Sequence, residues 1–128
     1  MSLRSPLGRV LGLGSAKGGS AHWYAQRVTA VALVLLGGWF MAALASLDSG
    51  SHAAVAAWLG SPVSSVLAVL FVGVAAYHAN LGLQVVVEDY VASHATRVAV
   101  LVAIKFALVV GALTGILAVL RIVFGVQA

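Results

Sequence analysis

The chain lacks cysteine altogether and carries few charges of either sign. With no cysteine among its 128 residues, it cannot by itself form a disulfide, a zinc–thiolate site or a cysteine-ligated iron–sulfur cluster. It has only three acidic residues and seven Lys or Arg residues, against 62% hydrophobic residues and a mean hydropathy of +1.11. A water-soluble domain of this size needs far more polar surface, so the composition predicts an integral membrane protein. The basic residues are scattered around apolar segments, which argues against nucleic-acid binding.

Three apolar stretches are each long enough to cross the hydrocarbon core of a bilayer, which takes about 20 residues. They run over about residues 28–47, 63–87 and 98–120. Backbone groups must be paired within the lipid, so we predict an all-α membrane protein with three transmembrane helices running up, down and up. Ser61 and Pro62 suit the cap and the first position of the second helix. We expect residues 1–27, rich in Gly and Ser, to be an N-terminal segment and residues 28–128 to be a three-helix transmembrane domain.

The distribution of basic residues predicts the orientation. One side of the membrane would hold five of them: Arg4, Arg9, Lys17, Arg27 and Arg97. The other side would hold only Arg121, so we expect a cytoplasmic N-terminus and an exported C-terminus. Lys105 lies inside the third span, and we expect its side chain to extend back toward the cytoplasmic interface. A cleaved signal peptide is the competing interpretation of the first span, but its 27-residue lead-in and the residues Trp23, Tyr24 and Gln26, which look like an interfacial belt, argue against it.

His78 lies deep in the second span, near the middle of the membrane. An ionisable side chain in hydrocarbon is costly unless something engages it, so His78 is a candidate functional residue. Ala75 and Gly82 reduce bulk one turn to either side, and a flat macrocycle could lie there with the histidine as an axial ligand. Small residues also allow a second helix to approach, with His78 hydrogen-bonding across the contact. The residues alone favour this helix contact.

A six-coordinate haem would need a second ligand besides His78. The other histidines are His22, His52 and His94, and all three fall near the membrane surfaces rather than at the depth of His78. If haem is present, the second ligand is therefore expected from another chain.

An Asp-Tyr pair marks the point where the second span leaves the lipid. Asp89 follows His78 by eleven residues, which at about 100° per residue returns within about 20° of the same helix face. A carboxylate and a phenol at this rim could supply a proton or a hydrogen bond to a buried carbonyl. Equally, Glu88, Asp89 and Tyr90 could be ordinary interfacial residues at the end of a helix.

These residues resemble a known family, the hydrophobic membrane anchor of succinate dehydrogenase, in its alphaproteobacterial form. The resemblance covers essentially the whole chain. It is carried by Tyr77-His78, Gln84 and Glu88-Asp89-Tyr90, by His22-Trp23-Tyr24-Ala25-Gln26-Arg27-Val28-Thr29-Ala30, and by the leader residues Ser5-Pro6-Leu7-Gly8-Arg9 and Gly12-Leu13-Gly14-Ser15-Ala16-Lys17.

The resemblance implies a function in respiratory complex II in the bacterial inner membrane, within the tricarboxylic acid cycle. His78 would be one axial ligand of a haem b shared with a second membrane anchor of three helices, which supplies the other histidine. Tyr90 would hydrogen-bond a quinone such as ubiquinone, with Asp89 nearby, and Arg27 and His22 would lie near the haem propionates or the quinone. An iron–sulfur subunit and a flavoprotein subunit would dock on the cytoplasmic face.

Two alternatives stay open. The chain could be the haem-b anchor of a fumarate reductase, since the direction of the reaction depends on the quinone and on the soluble subunits. It could also be a small structural or transport subunit without haem, in which the histidine only pairs with another helix.

Overall fold

Residues 19–125 form three long helices and one short helix. The computed structural model describes Leu7 and residues 19–125, so Arg4, Arg9 and Lys17, on which the predicted orientation partly depends, lie outside the described residues. Within residues 19–125 the helices are α1 (Gly19–Ala45), α2 (His52–Leu59), α3 (Pro62–Tyr90) and α4 (His94–Val123). The three long helices are each apolar enough to cross a membrane. The predicted all-α, three-span architecture is confirmed.

Each of the three long helices is longer than the span predicted for it. Their 27, 29 and 30 residues correspond to about 40, 44 and 45 Å, whereas the hydrocarbon core is about 30 Å thick. The helix α1 begins nine residues before Val28, inside the predicted N-terminal segment, and ends at Ala45, two residues before the predicted limit of the span. Hydropathy locates only the lipid-crossing part of a helix, because backbone hydrogen bonding continues into the interface.

The cap predicted at the start of α3 is confirmed. The Ser61 hydroxyl accepts a hydrogen bond from the Ser64 N–H at 3.3 Å, and Pro62 is the first helical residue. Proline fits there because its missing N–H would have had no partner within the helix. At the other end, the Val91 N–H donates to the Val87 carbonyl, and α3 runs from Pro62 to Tyr90 without a break.

The helix α2 lies where the sequence predicts only a loop. The Ser51 hydroxyl caps it by accepting from the Ala54 N–H at 3.2 Å. Its Trp58 ring packs 5.5 Å from that of Trp39 and 5.7 Å from that of Phe40, and Phe40 stacks on Phe71 of α3 at 5.2 Å. Eight residues are too few to cross a membrane, so hydropathy over windows of about 20 residues does not indicate this helix. Through these ring contacts, Trp58 joins the connecting segment to the bundle.

The helix α3 is the centre of the bundle, packing against α1 on one side and against α4 on the other. A Cβ atom at Gly115 of α4 would lie 3.3 Å from a methyl carbon of Val72, which shows how closely α3 and α4 approach. Few side chains are buried within this chain, and large apolar residues such as Val34 and Phe106 are exposed. Such a surface suits lipid or another transmembrane helix.

The two ends of the bundle differ, and we name them by one residue each. The Tyr90 end contains the start of α1, the end of α3 and the start of α4. The Gly60 end contains the end of α1, the helix α2, the start of α3 and the end of α4. Arg97 stabilises the three-residue connection between α3 and α4 at the Tyr90 end. Its Nε and Nη2 donate to the Val91 carbonyl at 3.0 and 2.9 Å.

Candidate functional site: an intramembrane histidine between two helices

His78 lies on the face of α3 that packs against α1. Its Nδ1 is 2.9 Å from the Thr29 hydroxyl oxygen, and its Nε2 is 3.4 Å from the Gln26 amide nitrogen. A Cβ atom at Gly82 would lie 3.5 Å from the same amide nitrogen, at van der Waals contact, so Gly82 lies next to the Gln26 side chain. We refer to His78, Thr29, Gln26 and Gly82 as the His78 cluster.

The hydrogen bonds favour one imidazole tautomer. The Thr29 hydroxyl has one proton and lies 2.8 Å from the Ala25 carbonyl, which can only accept. When that proton is donated to Ala25, the hydroxyl oxygen accepts from His78 Nδ1–H. Nε2 is then the nitrogen with a free lone pair. This is the arrangement found in metal-binding histidines, where the nitrogen remote from the metal donates to a fixed acceptor.

The lone pair of Nε2 is only weakly engaged within the chain. The 3.4 Å separation from the Gln26 amide lies beyond the usual range of an N–H hydrogen bond. The Gln26 Oε1 atom is buried and has no hydrogen-bond partner among the described residues, and the same holds for Nε2 of His22, one turn along α1. Two buried polar atoms between His78 and the Tyr90 end, Gln26 Oε1 and His22 Nε2, therefore have no hydrogen-bond partner among the described residues, whereas buried polar groups ordinarily do.

The His78 cluster meets one requirement of a haem site, because an oriented imidazole presents a free Nε2 lone pair. Gln26 partly covers that nitrogen, so its flexible side chain would have to rotate away from it. No group of three or more His, Cys, Asp or Glu residues that could hold a metal ion occurs within Leu7 and residues 19–125.

The remaining histidines lie away from the depth of His78. His52 is the first residue of α2, at the Gly60 end, and His94 is the first residue of α4, at the Tyr90 end. Both are exposed. His22 lies near the start of α1 and is only partly exposed.

Asp89 and Tyr90 lie at the end of α3, at the Tyr90 end of the bundle. The unbroken helix meets the condition for His78 and Asp89 to share a face, and eleven residues separate them by about 16 Å along the axis. Asp89 and Tyr90 are both exposed, Tyr90 to 84%. Within this chain, the structure does not bring Asp89 or Tyr90 into the His78 cluster.

Arg27 also lies apart from the His78 cluster. It is exposed, and its guanidinium carbon lies 5.5 Å from the centre of the Trp23 ring. Gln26, its neighbour in sequence, projects about 100° around the helix and reaches His78 instead.

The sequence interpretation misses the roles of Gln26 and Thr29. It assigns Gln26 to the interfacial belt, and Thr29 enters only as part of the resemblance. The available signal is their spacing: two polar residues three positions apart share one face of an apolar helix. That spacing identifies a polar face of α1, although it does not say which helix the face contacts.

These features define the class of the protein: a three-span helical membrane protein with a histidine oriented inside the bundle. The model of the succinate dehydrogenase/fumarate reductase transmembrane subunit family matches residues 1–114, and the chain belongs to this family. It is similar to the succinate dehydrogenase hydrophobic membrane anchor subunits of three bacteria. Identity is 35% with that of Rickettsia bellii (80% of this chain and 82% of the relative), 38% with that of Rickettsia conorii (66% and 68%) and 33% with that of Paracoccus denitrificans (74% of each).

Proposed function

We propose that the chain is a membrane anchor subunit of succinate:quinone oxidoreductase, in which it holds haem b jointly with a second anchor subunit and contributes to the quinone reduction site. The observation that carries the proposal is the position of His78: its Nδ1 lies 2.9 Å from the Thr29 hydroxyl, which donates to the Ala25 carbonyl, and this favours Nδ1–H with a free lone pair on Nε2. Family membership and the names of the relatives support the anchor role.

We further propose the bacterial inner membrane as the location, with the Tyr90 end on the cytoplasmic side. The support comes from the excess of Lys and Arg predicted at that end and from the bacterial relatives. Iron–sulfur and flavoprotein subunits would then dock near Asp89 and Tyr90. In this arrangement, the quinone site lies between the docked subunits and the haem.

The residues of the His78 cluster would have separate roles toward the haem. His78 would be one axial ligand, Thr29 would hold its ring orientation, and a histidine of the second anchor subunit would be the other axial ligand. A bound haem b supplies one-electron redox chemistry at this depth. His22, whose buried Nε2 has no partner among the described residues, is suited to donate a hydrogen bond to a propionate or a quinone oxygen. Arg27 would approach the same region from its exposed position.

Tyr90 and Asp89 would act on the quinone, with ubiquinone as the expected substrate. The phenol of Tyr90 can donate a hydrogen bond to a quinone carbonyl, an interaction that strengthens as negative charge develops on that oxygen. Asp89 can exchange protons with water, because it is exposed. The chain thus supplies ligation, positioning and proton access, while the cofactors carry the electrons.

Affinity purification from the source membranes through a tag on this chain tests the proposed function. We expect a flavoprotein, an iron–sulfur protein and a second three-helix subunit to co-purify. The dithionite-reduced minus oxidised spectrum should show a b-type haem with two histidine ligands. Recovery of the chain without haem and without a flavoprotein would contradict the proposal.

Replacing Thr29 with valine should alter the haem without removing its ligand. Without a hydrogen-bond acceptor the Nδ1–H bond is less polarised, so the imidazole is less electron-rich and less basic, and the ferric state is less stabilised. We expect the haem midpoint potential to shift to more positive values and haem retention to fall by about 10-fold. Redox titration of the purified complex measures the potential.

A matched control is available in α4. The Thr114 hydroxyl donates to the Val110 carbonyl at 2.8 Å, the same local bond that Thr29 makes with Ala25, and Thr114 is exposed. Thr114→Val should leave the potential unchanged, and Thr29→Ser should restore it. Equal potentials in Thr29→Val and Thr114→Val would show that Thr29 does not orient a haem ligand.

Two other functions are supported by particular observations. The matching family includes fumarate reductase subunits, so a haem-b anchor working in the opposite direction has the same site. The Thr29–His78 hydrogen bond could also serve helix packing alone, as it gives Nδ1 of the imidazole a partner without any cofactor. The haem spectrum described above distinguishes this second case.

A further inference from the structure

The connection between α3 and α4 lacks the local signals that usually fix a turn between two helices. It consists of Val91, Ala92 and Ser93. Helices commonly end at a glycine in the left-handed conformation, but this connection contains no glycine, and Val91 is extended, with φ −100° and ψ 102°. Ser93 occupies the cap position of α4 and makes no side-chain cap hydrogen bond. The polar backbone groups at the end of α3 therefore need another partner.

Arg97 supplies that partner from the first turn of α4. Its Nε and Nη2 both donate to the Val91 carbonyl, at 3.0 and 2.9 Å, and the side chain is partly buried. Hydrogen bonds from a charged donor are roughly twice as strong as those between neutral groups. The guanidinium is also a rigid, planar fork, so two of its donors on one oxygen restrict the position of that oxygen more than a single flexible donor would.

The charge of Arg97 suits the end of α3 better than it suits its own helix. A cation is favourable near the C-terminus of a helix and unfavourable near the N-terminus. Arg97 is the fourth residue of α4, whose first turn contains no acidic residue, and the last turn of α3 contains no basic residue of its own. The guanidinium therefore stabilises the end of α3 at some cost to the start of α4.

The backbone that Arg97 holds adjoins the proposed quinone contact. A single peptide bond joins Val91 to Tyr90, whose side chain is 84% exposed, so packing among the described residues does little to hold it. The ends of helices fray, whereas a group that acts on a bound substrate must be kept in a defined place. We propose that Arg97 is a positioning residue for the quinone site, which holds the last turn of α3 so that the Tyr90 hydroxyl keeps its place. The inference rests on the proposed contact between Tyr90 and the quinone.

Replacing Arg97 with glutamine in the purified complex tests this inference. Glutamine is neutral and lacks the fork of donors, so we expect quinone reduction by succinate to fall about five-fold, which is the effect of about one hydrogen bond. Reduction of a soluble dye and haem content should stay at wild-type levels. Equal loss of all three would show that Arg97 only supports assembly, and the inference would be wrong.

Two further variants separate the hydrogen bonds of Arg97 from its charge and from its place on α4. Arg97→Lys keeps the charge and a donor but not the fork, so its quinone reduction should lie between that of Arg97→Gln and that of wild type. Arg121→Gln removes a charge at the Gly60 end of α4 and should resemble wild type. Quinone reduction as low in Arg121→Gln as in Arg97→Gln would contradict the inference.

A double-mutant cycle with Tyr90→Phe shows whether Arg97 acts through the Tyr90 hydroxyl. Once that hydroxyl is gone, the loss of the Arg97 contact has little left to disturb, so the double variant should be within about two-fold of Tyr90→Phe alone. Independent effects would instead multiply, and a further loss of about five-fold in the double variant would overturn the inference. Wild-type quinone reduction in Arg97→Gln would overturn it as well.

Hydrogen exchange of the complex measures the hold on the turn without any quinone. The backbone amides of residues 87–93 should exchange faster in Arg97→Gln than in wild type or in Arg121→Gln, because the end of α3 opens more often. Unchanged exchange would show that Arg97 does not fix this turn. If Tyr90→Phe alone keeps full quinone reduction, the proposed contact of Tyr90 is wrong and the positioning role falls with it, whereas the difference in exchange would remain.

Discussion

Replacing His78 with alanine should give a complex that assembles without a bis-histidine haem. The substitution removes the only imidazole that the described residues place at this depth, so the proposed haem would lose one of its axial ligands. Assembly should survive, because the Thr29 hydroxyl keeps its bond to the Ala25 carbonyl and so is not left unpaired. Absorption and electron paramagnetic resonance spectra of the purified complex measure the effect, and we expect haem occupancy to fall by more than about 10-fold.

His52→Ala is the matched control for this experiment. His52 is exposed at the first position of α2, at the opposite end of the bundle, so its removal should leave the spectrum unchanged. An unchanged bis-histidine spectrum in His78→Ala would refute the ligand assignment. It would leave His78 as a residue that joins α1 to α3 through Thr29.

The second large effect is expected at Tyr90, where phenylalanine removes only the hydroxyl. The side chain is 84% exposed within this chain, so the fold of the protein should not change. Losing a hydrogen bond that strengthens as the quinone oxygen gains charge should lower succinate:quinone reductase activity by about 10- to 100-fold. Reduction of a soluble dye by succinate should persist, since that electron path ends before the membrane.

Tyr24→Phe provides the comparison for Tyr90→Phe. Tyr24 is also largely exposed, but it lies on α1, so its phenylalanine variant should retain both activities. If Tyr90→Phe loses quinone and dye reduction to the same extent, the defect is one of assembly. If it keeps both, Tyr90 does not contact the quinone.

The architecture could be predicted from the sequence because its causes are local. Hydropathy over windows of about 20 residues locates the three crossings, and Ser61 with Pro62 marks the start of α3 through groups a few residues apart. The nine additional residues at the start of α1 and the short helix α2 escaped prediction for a common reason. Neither depends on lipid burial, which is the signal that hydropathy measures.

The candidate site was only partly predictable. An isolated imidazole in an apolar helix identifies His78 without knowledge of the fold, because its burial is costly wherever it occurs. The resemblance assigned roles to Arg27, His22, Asp89 and Tyr90, and these assignments stay predictions that further variants can test. Nothing local distinguishes Gln26, as a partner of His78, from a residue of the interfacial belt.

By itself, the sequence determined that the chain is an integral membrane protein, that it crosses the membrane three times, and that His78 needs a hydrogen-bond partner or a ligand. Only the tertiary structure decided which partner it has. Thr29 and Gln26 lie 49 and 52 residues from His78 in the chain, and they meet it because α1 turns its polar face toward α3. That rotation depends on the packing of whole helices, including the Trp39, Phe40, Trp58 and Phe71 cluster at the far end, and no local pattern encodes it.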